Sequence, residues 1–405
     1  HPTHTTMSEF KVMTYNVLNL AETTDRVRFQ AVVDVINREN PEVLGLQELI
    51  SADAAKRLHE ALGTDRYHLV FDESVSPSQD TALMYRKNSL FSDSATWKVL
   101  YTRQGEGNRN ILQVTLTEAN GGTDWHFFVA HLQASQGSSN RSERAYEAKK
   151  LRDLALDALI QSNARCVVLG DLNLYSHTEP AYQELMEAGL RDIPVEADTG
   201  TYAEWKGNQK HLARLYTQSP RLHKVGGGAS GGLDDRFDFV LPSPACDVVA
   251  DTYTVVGNPD GADFNRNVSD PTLHKASDHL PVTLMFRSVG GDEVPIVHFH
   301  EVVANPPSDD KAGTEWISLL NPARQPVALR ATLQVRKYGK TLRSYRLNAQ
   351  IPGNSTMAFS FPDNDVLPNS GVVQLVLIWH DQEIAATSFR APRHETTTPH
   401  MLSRL

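Results

Sequence analysis

The chain has 405 residues, enough for two or three domains, and 40% of them are hydrophobic, an ordinary share for a protein with a sizeable core. A formal net charge of −10 excludes attachment to nucleic acid or anionic membrane by bulk charge alone, though a bound divalent cation can supply positive charge locally to a phosphate substrate. Two cysteines, Cys166 and Cys246, exclude a disulfide-dense scaffold and a thiolate zinc cluster, and leave open whether they pair. No run is long and apolar enough to span a bilayer, so no membrane insertion is expected. The start, HPTHTTMSEF, lacks the basic and apolar parts of a signal peptide.

In chain order, FKVMTYN (residues 10–16) reads as a strand that delivers Asn16 at its end. Phe29, Val32, Val33 and Ile36 then recur at helical spacing, and Asn40-Pro41 stops that helix. PEVLGLQEL is a short apolar strand with Glu48 where it ends. TALMYRK and ILQVTL read as strands, and HFFVAHLQAS as a strand running into His131. Leu151, Leu154, Ala155 and Ala158 form the stripe of a long helix. After it CVVLGDLNLYS is an apolar strand that stops at Gly170, Asp171 and Asn173. Successive side chains of an extended segment alternate faces, so Asp171 and Asn173 would project together, although Gly, Asp and Asn are also ordinary turn residues. FDFVL carries Asp238 between aromatics, and SDHLPVTLMF sets Asp278 and His279 before a last strand.

Alternating strands and helices with polar residues at strand ends suit an α/β layered domain with a cleft along one edge, spanning residues 8–288. SVGGDEVP reads as a linker. From 294 to about 392, short Val/Ile/Leu-rich runs are broken by Pro, Gly and Asn turns, which predicts a small β-sandwich. The polar tail from Arg393 is expected to lack regular structure.

The candidate site residues are Asn16, Glu48, His131, Asp171, Asn173, Asp238, Asp278 and His279. Apart from the histidines these are oxygen donors, the ligand set of a hard cation such as Mg²⁺, Mn²⁺ or Ca²⁺. Glu48 with Asp171 or Asp278 would hold such an ion. Two imidazoles on opposite sides of a phosphate could take a proton from water and serve the leaving oxygen. Asp238 is the natural orienting partner for His279. Each residue taken singly has an ordinary reading as a turn, a cap or a satisfied core group; the conjunction points to chemistry.

The series TYNVLNL, LQEL, HLQAS, GDLN, DDRFDFVL and SDHLP resembles the endonuclease/exonuclease/phosphatase superfamily, which includes pancreatic-type deoxyribonuclease, apurinic endonucleases, neutral sphingomyelinases and inositol phosphate 5-phosphatases. The resemblance implies a four-layered α/β sandwich, two packed mixed sheets flanked by helices, that hydrolyses phosphoesters with a divalent metal. It places Asn16, Glu48 and Asp278 at the metal, and lets Asp171 and Asn173 orient water and phosphate. His279 becomes the base, held by Asp238, and His131 the second histidine. Arg109, in NRNILQV, looks like a phosphate-contacting arginine of the deoxyribonuclease branch, and Asp80 aligns approximately with the acid that partners the second histidine there. EWISLLN, PVAL, Pro352-Gly353 and LPNSGVVQLVL resemble a lamin-tail domain, an immunoglobulin-like β-sandwich, whose partner the sequence does not identify. That resemblance implies a secreted or cell-surface bacterial protein.

Loops choose the substrate on such a fold. Residues 201–224 concentrate Lys206, Lys210, Arg214, Arg221 and Lys224 among Tyr202, Trp205 and Tyr216, cations for a backbone and rings for stacked bases. The expectation is therefore a nuclease acting on DNA, with RNA also open. A phospholipid or inositol-phosphate esterase, and a surface-binding protein with a degenerate enzyme domain, are the alternatives. The glycines of GGGASGG lack the Lys-Ser/Thr of a phosphate loop and read as a hinge.

Overall fold

The computed structural model describes residues 8–72, 80–102, 110–119, 123–198, 200–224, 227–288, 297–303, 316–322, 327–338, 340–361, 372–379, 382–390 and 400–401. The chain divides into two compact units, with the described residues up to Ser288 in one and those from Val297 in the other.

The first unit runs β1 (Glu9–Leu20), α1 (Arg26–Glu39), β2 (Val43–Leu49), α2 (Ala52–Leu62), β3 (Tyr67–Phe71), β4 (Asp80–Arg86), β5 (Phe91–Leu100), β6 (Ile111–Glu118), β7 (Asp124–His131) and α3 (Ser138–Leu151). It continues through a π-helical turn (Arg152–Leu156), α4 (Asp157–Gln161), β8 (Arg165–Asp171), α5 (Pro180–Glu187), α6 (Ile193–Ala197), a 3₁₀ turn (Lys210–Leu215), β9 (Asp238–Pro242), β10 (Thr254–Val255), α7 (Pro271–Ala276) and β11 (Val282–Arg287). One sheet has the order β10-β11-β1-β2-β4-β3 and the other β5-β6-β7-β8-β9. Both are mixed: β1 with β2 and β7 with β8 are parallel, and the remaining pairs are antiparallel. The sheets press face to face so closely that a Cβ on Gly45 of β2 would fall 2.7 Å from Leu169 Cδ1 of β8. Near the far end Phe10 of β1 meets Trp125 of β7 edge-on, with ring centroids 4.9 Å apart. This is the layered α/β architecture expected from the alternation of elements.

Helix α1 forms as its spacing predicts. Asp25 caps it by accepting from Arg28 N–H, Phe29, Val32, Val33 and Ile36 are buried, and Asn40 ends it in the left-handed conformation (φ 53°). The second predicted helix differs. Leu151 and Ala155 are buried, but Leu154 is 50% exposed and Ala158 is exposed, while Leu156 is fully buried. The π turn over Arg152–Leu156 lengthens the helical repeat, which rotates the apolar stripe away from the phase that a uniform 3.6-residue period predicts.

Cys166 and Cys246 are both buried free thiols, with Cys246 Sγ donating to Cys166 O at 3.4 Å. Among the described residues no helix is long and apolar enough to cross a membrane.

The second unit contains β12 (His298–Val303), β13 (Trp316–Asn321), β14 (Val327–Lys337), β15 (Lys340–Ile351), β16 (Ser355–Ser360), β17 (Val372–Trp379), β18 (Gln382–Arg390) and β19 (His400–Met401). They form two four-stranded antiparallel sheets, β16-β13-β12-β19 and β15-β14-β17-β18. Leu329, Leu333 and Val335 of β14, two or four apart, enter a core shared with Ile317 and Leu319 of β13 and Leu375 and Leu377 of β17. The tail expected to be irregular supplies β19, because its His400–Met401 satisfies the open edge of β12.

Candidate active site

Sheet register assembles one half of the site. In the parallel pair β7–β8, His131 stands opposite Asp171, and in the antiparallel pair β8–β9, Asp171 stands opposite Asp238. Three polar residues from three distant stretches of sequence thus form one row at a sheet rim. Gly170 lets the row close up: its φ is +145°, and a Cβ there would meet Ala130 O at 1.9 Å.

The other sheet supplies the facing half. Asn16 lies within β1 rather than at its end, but the register with β2 breaks after it, and Leu18 and Asn19 turn to positive φ. Glu48 also has positive φ (64°), a costly conformation that aims its carboxylate back across β1. Ser277 sews in the segment before β11, donating from Oγ to Asn16 O at 2.7 Å and accepting from His279 N–H at 3.2 Å. Arg28 completes that seam by donating to Ala276 O, Val17 O and Leu18 O.

Asp171 Oδ2 is the focus. Asn16 Nδ2 donates to it at 2.9 Å and to Glu48 Oε1 at 3.0 Å, His131 Nε2 lies 3.6 Å away and His279 Nε2 3.7 Å. On its far nitrogen His279 meets Asp238 Oδ2 from Nδ1 at 2.7 Å. Asp171 Oδ1 accepts from Asn173 N–H at 3.1 Å, and Asn173 has φ 49°. The strand therefore ends at Asp171 in an Asx turn, and the alternation expected to carry Asn173 onto the same face does not extend that far. Asn173 Nδ2 donates to Leu132 O, locking this turn against the segment after β7.

Burial pushes the Asp171 carboxyl up to about 7; His279 opposes this, while Asp238 and Glu48 add to it. Burial would lower the His279 value, but Asp238 and then Asp171 outweigh it and the net direction is well upwards. Glu48, His131 and Asp171 offer ligand atoms that all lie within 4.8 Å of one another. A buried cluster of carboxylate oxygens whose charges resist one another fits a hard divalent cation, which would relieve that repulsion.

Of Asn16, Glu48 and Asp278, Glu48 falls in the group of converging ligand atoms. Asn16 turns its amide nitrogen to both carboxylates, while its Oδ1 accepts from Leu18 N–H at 3.0 Å, so it organises the ligands. Asp278 Oδ2 accepts from Ala229 N–H at 2.6 Å, and Arg28 and Arg221 are both within electrostatic reach of it. The Oδ1 of Asp278 is buried with no hydrogen-bond partner among the described residues.

The basic and aromatic stretch 201–224 also differs from its expected role. Tyr202, Trp205 and Tyr216 are buried, and so is Arg221, which donates to Gly227 O, Ala229 O and His274 O. Lys206, Lys210, Arg214 and Lys224 remain exposed, with the imidazoles of His211 and His223 as the exposed rings of the stretch. The rings were attractive as a platform because sequence shows their chemistry and not their burial. Arg109 lies outside the described residues. Asp80 opens β4 opposite Leu49, the neighbour of Glu48, and burial raises its carboxyl to about 7.

Sequence reasoning passed over Gln218, whose Nε2 lies 2.7 Å from His279 Nε2, as well as Arg28 and Ser277. Ser277 was findable as the neighbour of Asp278 and His279; Gln218 carries no local signal. The ion pair of Arg144 with Glu179 was also missed; from it Arg144 holds Gln133 O and Ser135 O just beyond His131.

Two mixed sheets with acids and imidazoles meeting at one rim define a metal-assisted phosphoester-cleaving class of fold and site. Residues 13–279 match the Endonuclease/Exonuclease/phosphatase family, and this chain belongs to it. Enzymes of that family are metal-dependent phosphoesterases and nucleases. No curated protein matches the sequence. Among solved structures, a truncated Caenorhabditis elegans TDP2 is 20% identical, with a TM-score of 0.49, covering 69% of this chain and 98% of that one. The human Nocturnin catalytic domain with bound sulfate is 18% identical, with a TM-score of 0.49, covering 69% and 95%. An endonuclease/exonuclease/phosphatase family protein from Bacteroides thetaiotaomicron is 17% identical, with a TM-score of 0.46, covering 69% and 95%.

Proposed function

We propose that residues 8–288 form a Mg²⁺-dependent phosphodiesterase that acts as a nuclease on DNA, with RNA open to the same chemistry and Mn²⁺ or Ca²⁺ as ions of like ligand preference. The observation that carries this reading is the placement of two imidazole nitrogens, His131 Nε2 and His279 Nε2, at 3.6 and 3.7 Å from one carboxylate oxygen of Asp171. His279, oriented by Asp238, takes a proton from water on Nε2 as the water oxygen bonds to phosphorus and the bond from phosphorus to the leaving oxygen breaks. His131 serves the phosphate oxygens or the leaving oxygen from the other side. Glu48 and Asp171 would hold the cation, which supplies charge neutralisation for the phosphate. Asn16 keeps those carboxylates together, and Asn173 holds the turn that aims Asp171.

The burial of Tyr202, Trp205 and Tyr216 removes a stacking platform, so DNA selection falls to exposed Lys206, Lys210, Arg214 and Lys224 and to Arg109. Residues 294–392 are assigned to a lamin-tail-like domain and the protein to the bacterial exterior, on the motifs quoted above.

The test is hydrolysis of plasmid DNA, linear single-stranded DNA, RNA, sphingomyelin and inositol polyphosphates with Mg²⁺, Mn²⁺, Ca²⁺ or chelator, beside His279→Ala. Metal-dependent nicking of plasmid that His279→Ala abolishes supports the nuclease. Release of phosphate or headgroup with no action on nucleic acid overturns it in favour of a lipid or inositol-phosphate esterase.

A further inference from the structure

Residues 200–224 bury the rings of Tyr202, Trp205 and Tyr216, and their course is tightly prescribed where they pass the catalytic histidine. Thr217 O accepts from Leu280 N–H at 2.7 Å, and Thr217 Oγ1 accepts from Phe237 N–H at 3.1 Å and Asp238 N–H at 3.3 Å. Gln218 forms antiparallel bridges to both His279 and Asp235. The Gln218 backbone is therefore bridged to His279, its neighbour Thr217 holds Asp238 N–H through Oγ1, and the half-buried Gln218 side chain reaches Nε2 of His279 at 2.7 Å.

That nitrogen is the one turned toward Asp171 and the centre of the site. Asp238 restrains the imidazole at Nδ1. Burial and the Phe237 ring, with centroids 6.4 Å apart, already confine the imidazole, and a second hydrogen bond at the opposite nitrogen adds to the restraint on its plane. An amide suits this place because it offers a donor and an acceptor at the same reach. Its –NH₂ donates to an Nε2 lone pair, and a half-turn of the amide lets its oxygen accept from Nε2–H.

Resting on the phosphodiesterase reading above, we propose that Gln218 is a positioning residue for the reaction. It fixes the His279 ring from the Nε2 side before substrate arrives and yields that nitrogen to the attacking water. Since it acts through His279, its loss costs turnover more than substrate affinity.

The experiment compares native protein, Gln218→Met and Gln218→Glu in hydrolysis of bis(p-nitrophenyl) phosphate with Mg²⁺ or Mn²⁺. Methionine keeps length and loses both hydrogen-bonding roles, while the backbone bridges remain. The expected result for Gln218→Met is a kcat lower by roughly 10- to 100-fold, with KM within about twofold and an unchanged melting temperature. Gln218→Glu can only accept, which holds a proton on Nε2, so its kcat falls further. An unchanged kcat in Gln218→Met, or losses that follow the melting temperature in both variants, overturns the proposal.

A second measurement needs no turnover: the ¹⁵N resonances of the His279 imidazole in the intact, metal-free protein. The proposal expects the Nε2 resonance to move in Gln218→Met while Nδ1 stays; an unmoved Nε2 resonance overturns it. Native protein inactive on every phosphodiester would sink the phosphodiesterase reading, and the ¹⁵N comparison would still decide whether Gln218 holds the ring.

Discussion

His131 and Asp171 are partners in the register of the parallel strands β7 and β8, and their reactive atoms, Nε2 and Oδ2, stand 3.6 Å apart. The backbone ladder, more than any side-chain contact, places the second histidine beside the carboxylate on which the site converges. Closing that ladder requires Gly170, since a Cβ would collide with Ala130 O. Gly170→Ala is expected to disrupt the β7–β8 rim, cost at least ~2 kcal/mol and remove activity. Urea unfolding of the purified variant checks this; a stable, active Gly170→Ala protein would contradict it.

Asp238 meets the Nδ1 side of His279 at 2.7 Å and is fully buried. Replacing it by asparagine keeps the shape and loses the charge that favours the imidazolium formed in proton transfer. Asp238→Asn and His279→Ala should each lower kcat by roughly 10²- to 10⁴-fold, and the double variant should be little worse than either, because the pair acts as one base. Steady-state kinetics of the three variants decides the matter, and additive losses would speak against a shared role.

Glu48 belongs to the converging ligand group, whereas Asp278 lies outside it and accepts from Ala229 N–H on Oδ2, with Arg28 and Arg221 nearby. Glu48→Gln should therefore raise the Mg²⁺ concentration needed for half-maximal activity by roughly tenfold or more. Asp278→Asn should shift that concentration by less than about twofold, even if turnover drops as the 227–229 segment loosens. Metal titration of activity distinguishes them, and equal shifts would return Asp278 to the ligand set.

Arg236 and Asp192 form a bidentate pair at 2.7 and 2.9 Å, both about fully buried, with Trp205 and Phe239 rings around the guanidinium. Tyr182 OH donates to the same carboxylate at 3.0 Å. Removing one charge strands the other in the core, so Asp192→Ala should cost about 3–5 kcal/mol. Equilibrium denaturation followed by tryptophan fluorescence measures this, and a loss below about 1 kcal/mol would show that water reaches Arg236.

Burial raises the Asp80 carboxyl from an ordinary 3.8 to about 7, with Asp72 adding to the effect. The native state then keeps a proton that the unfolded chain has released, so this contribution to stability is complete below pH ~4 and fades as pH rises through about 7. Asp80→Asn never carries the charge. Its melting temperature relative to native protein should therefore be higher at pH 8 than at pH 5, and thermal melts at the two values test the sign.

Much of this molecule is legible along the chain because period and punctuation are local properties. The stripe of Phe29, Val32, Val33 and Ile36 with Asp25 and Asn40 at its ends specifies α1, and apolar runs ending in Asn16, Glu48, His131, Asp171 and His279 specify strands that carry polar groups to an edge. What strand register, burial and backbone course decide is not local. The π turn at Arg152–Leu156 rotates a stripe that spacing alone places wrongly. Tyr202, Trp205, Tyr216 and Arg221 look like a ligand surface until packing covers them. Asn16 and Asp278 have the right chemistry for a metal, but one turns its amide nitrogen to the carboxylates and the other turns one of its two oxygens to a glycine-rich segment. Gln218 is 61 residues from His279 and bears no motif; only the bridge between their backbones brings its amide to the catalytic nitrogen. Residue types and periodicity set which chemistry is present, and long-range hydrogen bonding sets which atoms of it face one another.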